Sequence, residues 1–151
     1  MCDQKFNFQK VSSVELFQKL QSLVQTERKI TQLILECINE IEQRKLHLEK
    51  GYSSLFDFLT LAMGYSAASA QRRIDGARLL RQLPEVGEKL ERGHLNLSQV
   101  SLLQKTIRTY QLETTKKVTL EQKKILLEKL EKHSTKNSEL ILAQELNLPL
   151  P

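Results

Sequence analysis

The 151-residue chain carries a net charge of +5 at pH 7 and contains five glycines, three prolines and no tryptophan. A chain of this length can bury a sizeable apolar core as one domain, and the shortage of glycine and proline favours helices over a turn-rich sheet protein. Its apolar runs are shorter than the roughly 18 residues that a membrane span needs, so the composition excludes a membrane-spanning protein.

The excess positive charge lies in the second part of the sequence. Residues 1–65 contain eight basic and eight acidic side chains, whereas residues 66–151 contain fifteen basic and ten acidic ones. This asymmetry favours an anionic partner for the second part. Cys2 and Cys37 have no cysteine or histidine nearby at metal-ligand spacing, so they indicate reduced thiols of a cytoplasmic protein rather than a zinc site or a disulfide framework.

Two helices are predicted in the first fifty residues. Ser12 and Glu15 have the spacing of a capping box before the first helix, and a second helix is expected from about Glu27 to Glu49, with Gly51 just past its end. Apolar residues follow helical spacing at Leu16, Phe17, Leu20, Leu23 and Val24, and heptad-like spacing at Ile30, Ile34, Cys37 and Ile41. The heptad-like positions leave two alternatives open, a homodimer seam or packing within the domain.

A helix-turn-helix is predicted in the middle of the chain. Ser53 or Ser54 can cap a first helix that ends at Met63, Gly64–Ser66 forms the turn, and Ala67–Leu83 forms the recognition helix with Ser66 as its cap. Two helices joined by a short turn that contains glycine are the outline of this DNA-binding motif.

The recognition helix has two predicted faces when it is projected at about 100° per residue. Ala67, Ala70, Ile74 and Ala77 form a packing face, and Ala68, Ser69, Arg72, Arg73 and Gly76 form the opposite, outward face. Small residues early in the helix would let it approach a DNA major groove, where arginines reach phosphates or guanine edges. The predicted DNA-binding residues are Ser66, Ala68, Ser69, Gln71, Arg72, Arg73 and Arg78.

The basic residues of the recognition helix and of the C-terminal region also allow interpretations other than DNA binding. The arginines of the recognition helix also fit a solvated surface that pairs with Asp75 or Glu85, or a protein-interaction module that docks an acidic partner. The lysines between residues 116 and 136 alternate with Glu121, Glu128 and Glu131, which favours Glu–Lys pairs along a solvated helix over a phosphate-binding stripe.

The rest of the chain predicts further short helices. One runs from Pro84 to Arg92, one from an Asn96 and Gln99 capping box to Thr109, one from a Thr119 and Gln122 capping box to His133, and one from Ser138 to Leu146. No segment alternates apolar and polar residues as a strand would. The predicted fold is all-α, a multi-helix orthogonal bundle with a central helix-turn-helix. It divides into an N-terminal helical pair at 1–50, a helix-turn-helix core at 51–110 and C-terminal helices at 111–151, expected to form one compact domain.

Four short motifs occur in order in this part of the sequence: Gly51–Phe56, Gly64–Leu79, Leu83–Val86 and Gly93–Ser98. With them, residues 44–103 resemble the N-terminal helical region of bacterial HNH-endonuclease-domain proteins. The order of helices is also similar to the helix-turn-helix region of ParB-type partition proteins, a weaker resemblance that maps contact residues onto Ser66 to Arg73. Both resemblances imply DNA as the partner.

The catalytic residues of the HNH family have no match in this sequence. That nuclease domain needs metal-binding histidines and an asparagine in a compact ββα unit, whereas His47, His94 and His133 lie far apart, and His94 has the context of a turn residue. The resemblance therefore implies a non-catalytic accessory region that binds double-stranded DNA without a cofactor or metal. A homodimer and a nuclease domain in a longer parent protein are further expected partners, with no membrane involved and a nucleoid location within the cytoplasm.

Overall fold

The computed structural model describes residues 5–150, which form a bundle of α-helices without a strand in that range. The helices are α1 Ser13–Gln43, α2 Leu46–Glu49, α3 Leu55–Asp57, α4 Ala67–Gln82, α5 Val86–Glu91, α6 Leu97–Thr114, α7 Leu120–Leu130 and α8 Thr135–Glu145, and a π-helical turn at Phe58–Ala62 continues α3. The all-α prediction is confirmed. One apolar core cluster reaches from α1 to α8, while the division at residues 50 and 110 stays a prediction.

Helix α1 is one continuous helix where the sequence predicts two. The Ser12 hydroxyl accepts the Glu15 backbone N–H at 3.2 Å, so the predicted N-cap is confirmed. The segment between the two predicted helices contains no glycine or proline, so nothing interrupts the backbone, and the 31-residue helix is about 46 Å long. The helix ends before the predicted Glu49, where Lys45 takes a left-handed φ of 55°.

The apolar residues with heptad-like spacing in α1 are only partly buried. Ile34 and Ile41 pack against the core, as the packing alternative expects, while Ile30 and Cys37 are exposed. The fully buried positions of α1 are Leu35 and Ile38. Cys2 lies outside the described residues.

Helix α4 lies at the centre of the bundle and packs against α1, α3 and α6. Ala70, Ile74 and Ala77 are buried as predicted, although Ala67 is exposed at the start of the helix. The prediction that Gly76 lies on an outward face is wrong. A Cβ at this position would lie 2.8 Å from Leu97 Cδ2, because α4 is covered on two sides rather than one.

The first helix of the predicted helix-turn-helix is a single α-turn followed by a π-turn. Of the two predicted caps, Ser53 and Ser54, it is Ser54 that caps this helix, because its hydroxyl accepts the Asp57 backbone N–H at 3.0 Å. In the π-turn the Thr60 hydroxyl donates to the Phe56 carbonyl at 3.0 Å, which is the carbonyl that an α-helix would pair with the Thr60 backbone N–H. Gly64, with φ 78°, begins the predicted turn before α4.

The two predicted capping boxes in the C-terminal helices are confirmed, at Asn96 with Gln99 and at Thr119 with Gln122. The predicted ends are less accurate. Helix α6 continues to Thr114 because no helix breaker follows Thr109, α7 ends at Leu130 instead of His133, and α8 begins at Thr135 instead of Ser138 because Ser134 provides the cap.

The Gln99 side chain ties α6 to the last two helices. It is 1% exposed, and its amide nitrogen donates to the carbonyls of Leu130 and His133 at 2.8 and 2.7 Å and to the Ser138 hydroxyl at 3.0 Å. The ion pairs of the α7 region also join different helices: Lys124 with Glu85 at 3.8 Å and Lys129 with Glu145 at 2.8 Å. The predicted Glu–Lys pairs along one helix are therefore replaced by pairs that hold neighbouring helices together.

Candidate nucleic-acid interface

The first turn of α4 is exposed to solvent, as are Arg78, Arg81 and Gln82 near the other end of the predicted recognition helix. Ser66 caps the helix by accepting the Ser69 N–H at 3.2 Å, and Ala67 and Ala68 are exposed. Helix geometry leaves the first N–H groups without intrahelical acceptors, and α4 has no acidic residue in this turn. The N-terminal end of α4 is therefore an exposed, electropositive helix terminus.

Arg72 lies over this first turn. Its side chain is half-buried, and Nη2 donates to the Ser69 hydroxyl at 3.3 Å. This contact holds a guanidinium one turn from the exposed Ala68. Four predicted site residues are thus brought together at one end of the helix: Ser66, Ala68, Ser69 and Arg72.

Arg73 lies on a different side of α4. Its guanidinium carbon is 4.4 Å from the centroid of the Tyr65 ring, and Nη1 donates to the Ser69 carbonyl at 3.1 Å. The side chain lines a cleft of about 460 Å³ between α1 and the α5–α6 connection, where Arg28 and Asn96 also contribute. Arg73 therefore contacts the same first turn as Arg72, but its side chain lines this cleft.

Gln71 belongs to a polar cluster between α4 and α6 that is centred on the buried Asp75. Asp75 is 1% exposed and accepts from Gln71 Nε2 at 3.1 Å, from the Ser101 hydroxyl at 2.6 Å and from Arg108 Nη1 at 3.3 Å. The alternative in which Asp75 pairs with the arginines of its own helix is wrong, because Asp75 faces α6 and contacts Arg108. The arginine that it does contact is 33 residues away, so no local spacing indicates the pair.

Arg78 and Arg81 extend from the other side of α4 to α1. Their Nη2 atoms contact the two Glu42 carboxylate oxygens at 2.9 and 3.1 Å. The hydrogen bond from Arg78 lowers the pKa of Glu42; partial burial opposes this shift, and the charge of Arg78 and the contact with Arg81 support it. Arg78 is therefore a structural partner of α1 and stands apart from the first turn of α4.

The three histidines lie in separate parts of the fold. His47 is buried in α2, and His94 lies in the turn after α5, as predicted. The backbone of His94 is fixed on both sides, since its N–H donates to the Lys89 carbonyl and its carbonyl accepts the Lys132 N–H, each at 2.9 Å. Across residues 5–150, no group of three or more His, Cys, Asp or Glu side chains is close enough to hold a metal ion.

Comparison with known proteins gives one match. A protein-family model described as a domain of unknown function, DUF222, matches residues 17–143. No curated protein and no solved structure matches the chain at a significant level. Within residues 5–150, no helix is both long and apolar enough to cross a membrane.

Proposed function

Since the chain belongs to the DUF222 family, whose domains commonly lie N-terminal to HNH domains, we propose that it is a non-catalytic domain that binds double-stranded DNA beside an HNH nuclease domain. The proposal includes a nucleoid location in the cytoplasm and a nuclease domain in a longer parent protein. The observation that carries it is the first turn of α4, where exposed alanines, free helical N–H groups and Arg72 adjoin.

This turn has the features that a DNA phosphate requires. Backbone N–H groups at a helix N-terminus bind anions, and the helix dipole adds favourable potential. The side chains of Ala67 and Ala68 are too small to keep a DNA backbone away. Arg72 adds a full positive charge within reach of the same phosphate.

In the proposed complex, the N-terminal end of α4 contacts DNA and the rest of the helix does not. Beyond Arg73 most of the helix is covered by α1 and α6, and the exposed Arg78 and Arg81 are paired with Glu42. We therefore expect DNA to be held mainly through phosphates, with base reading limited to Ala68, Ser69 and Arg72.

An acidic protein partner for the remaining arginines is a weaker candidate function. Arg78 and Arg81 already share the Glu42 carboxylate, so a second acidic group would have to compete with an intramolecular one. The geometry supports DNA at the first turn better than a partner along the helix.

The test is fluorescence anisotropy of labelled duplex DNA across a salt series. For a phosphate-dominated complex, the logarithm of affinity falls with the logarithm of salt by about 0.9 per phosphate neutralised. Ala68→Asp adds a negative charge that favours the helix N-terminus and repels DNA, so it should preserve or raise stability while binding is lost. Arg72→Glu should lower both the affinity and the salt slope, the latter by about one.

Two variants serve as matched controls. Asn137→Asp adds the same charge to the first turn of α8, and Arg44→Glu reverses an exposed arginine that follows α1. Both should retain most of the affinity of the unaltered chain. If the control variants lose as much DNA affinity as the α4 variants, the interaction depends only on the net charge of the protein. Absence of DNA binding at low salt would refute the DNA proposal.

A further inference from the structure

The first half of α1 exposes an apolar surface that the domain does not use. Six large apolar side chains between Ser13 and Ile30 are between 41% and 71% exposed, and we call five of them the α1 stripe: Leu16, Phe17, Leu20, Leu23 and Ile30. Most monomeric proteins scatter such residues singly, and a contiguous apolar patch marks an interaction site.

Contacts between α1 and the rest of the bundle begin near the middle of the helix. The Arg28 guanidinium lies against Gly93, and Leu35 packs against Gly76 farther along. From Ser13 to Leu23 all side chains are exposed except one, which is half-buried. All of the α1 stripe except Ile30 thus lies on a part of the helix that extends past the core.

That half-buried side chain is Lys19, whose ammonium lies 5.0 Å from the centroid of the Phe6 ring. Glu27 lies eight residues later and is exposed. Leu23 lies midway between them, so the two opposite charges are equally distant from the centre of the α1 stripe.

We propose that the α1 stripe binds a second copy of this chain, with the two α1 helices antiparallel and crossing at Leu23. In this arrangement residue 19 of each helix faces residue 27 of the other, which places Lys19 beside Glu27 twice. Leu16 then faces Ile30, and Leu23 faces its own counterpart. The surface is self-complementary, as a two-fold symmetric interface requires.

Charge decides against the parallel alternative. The apolar spacing 16, 20, 23 and 30 places Glu27 at the missing heptad position of the same seam. A parallel, in-register pair would bring two Glu27 carboxylates together in that seam. Like charges at such a position are unfavourable, whereas the antiparallel pair turns the same residue into an ion-pair partner.

This inference does not depend on DNA binding. The α1 stripe and the first turn of α4 share no residue, so either proposal can fail alone. The first experiment is sedimentation velocity over a range of protein concentrations without DNA. The unaltered chain should sediment as a dimer at high concentration and dissociate on dilution; a monomer at every concentration would overturn the inference.

Variants locate the interface. Leu20→Glu should weaken the dimer by more than about tenfold, because it would bury a charge in the apolar seam. Leu112→Glu is the matched control, since Leu112 is an 83% exposed leucine on α6, outside the stripe. Circular dichroism should show that both variants remain folded. If the Leu20→Glu and Leu112→Glu variants dimerise equally well, the dimer interface is not at the α1 stripe.

A charge exchange tests the orientation. Lys19→Glu and Glu27→Lys should each weaken the dimer, and the double variant should restore it, because the opposite charges face each other again. Failure of the double variant to recover would overturn the antiparallel register. In a chain with Cys2→Ser and Cys37→Ser, Leu16→Cys and Ile30→Cys protomers should form mixed disulfides on oxidation, whereas a parallel pair would link like with like.

Discussion

The first half of α1 and the whole of α4 show opposite relations between composition and burial. The α1 segment contains three leucines and Phe17 and is exposed, whereas α4 contains four arginines and several alanines and is covered by three neighbouring helices. Small residues such as Gly76 let those neighbours approach, and two of the arginines, Arg78 and Arg81, extend past them to Glu42. Position in the bundle, and not polarity alone, decides which helix forms the core.

The largest expected difference in stability is between a substitution in the second half of α1 and one in the first half. Leu35 is fully buried, so Leu35→Ala should lower the free energy of unfolding by about 2–5 kcal/mol. Leu20→Ala removes the same atoms from a 60% exposed side chain and should change it by less than about 0.5 kcal/mol in dilute solution. Urea unfolding of both variants measures the contrast. A similar loss for Leu20→Ala would mean that the first half of α1 packs against the monomer.

A second contrast lies within α4. Gly76→Leu places a large side chain where α1, α4 and α6 meet and should cost about 1–3 kcal/mol of stability. Leucine is a better helix former than glycine, so helix propensity cannot account for such a loss. Ala68→Leu, on the exposed first turn, is the control and should be neutral in thermal unfolding. A stable Gly76→Leu variant would show that this crossing has room to expand.

Local features of the sequence are predicted best. Ser12, Ser54 and Ser66 cap helices as expected, because a cap and its N–H donor lie within three residues. Helix ends are predicted less accurately where no glycine or proline marks them, which is why α1 runs through the predicted break between two helices and α6 continues past Thr109. The all-α class follows from periodicity over the whole chain.

Burial around α4 could not be predicted from its own residues. A helical projection gives one packing face, but the second covered side depends on Leu35 and Leu97, which are distant in sequence. The same holds for the candidate site: Arg72 contacts the Ser69 hydroxyl, whereas Gln71 contacts Asp75 and Arg73 packs on the Tyr65 ring. Spacing along one helix indicates which residues share a side, but not which side remains open.

The polar cluster around the buried Asp75 gives a third prediction. Asp75→Ala would leave Ser101 and Arg108 without their acceptor and should cost about 1–3 kcal/mol in urea unfolding. Glu88→Ala removes an acid whose pair with Arg92 is exposed, and it should change stability by less than about 1 kcal/mol. Equal effects would indicate that the Asp75 cluster contributes no more than a surface ion pair.

The smallest expected effect concerns the link between α4 and the buried half of α1. The hydrogen bond from Arg78 lowers the pKa of Glu42, so the folded state favours the ionised carboxylate. This stabilisation is fully present above the ordinary pKa of a glutamate, about 4.3, and is lost as the pH falls through the lower pKa of the folded state. Glu42→Gln should therefore cost about 1 kcal/mol or less at neutral pH.

The pH series distinguishes charge from packing at this position. Urea unfolding from neutral to acidic pH should show the unaltered chain and the Glu42→Gln variant converging in stability as Glu42 becomes protonated. Glu40→Gln is the control, because the pair of Glu40 with Arg44 is exposed and contributes little. A deficit in the Glu42→Gln variant that persisted at low pH would mean that the side chain acts through packing. Arg78 and Arg81 would then be open to an external anion, and the distinction between the first turn of α4 and the rest of the helix would weaken.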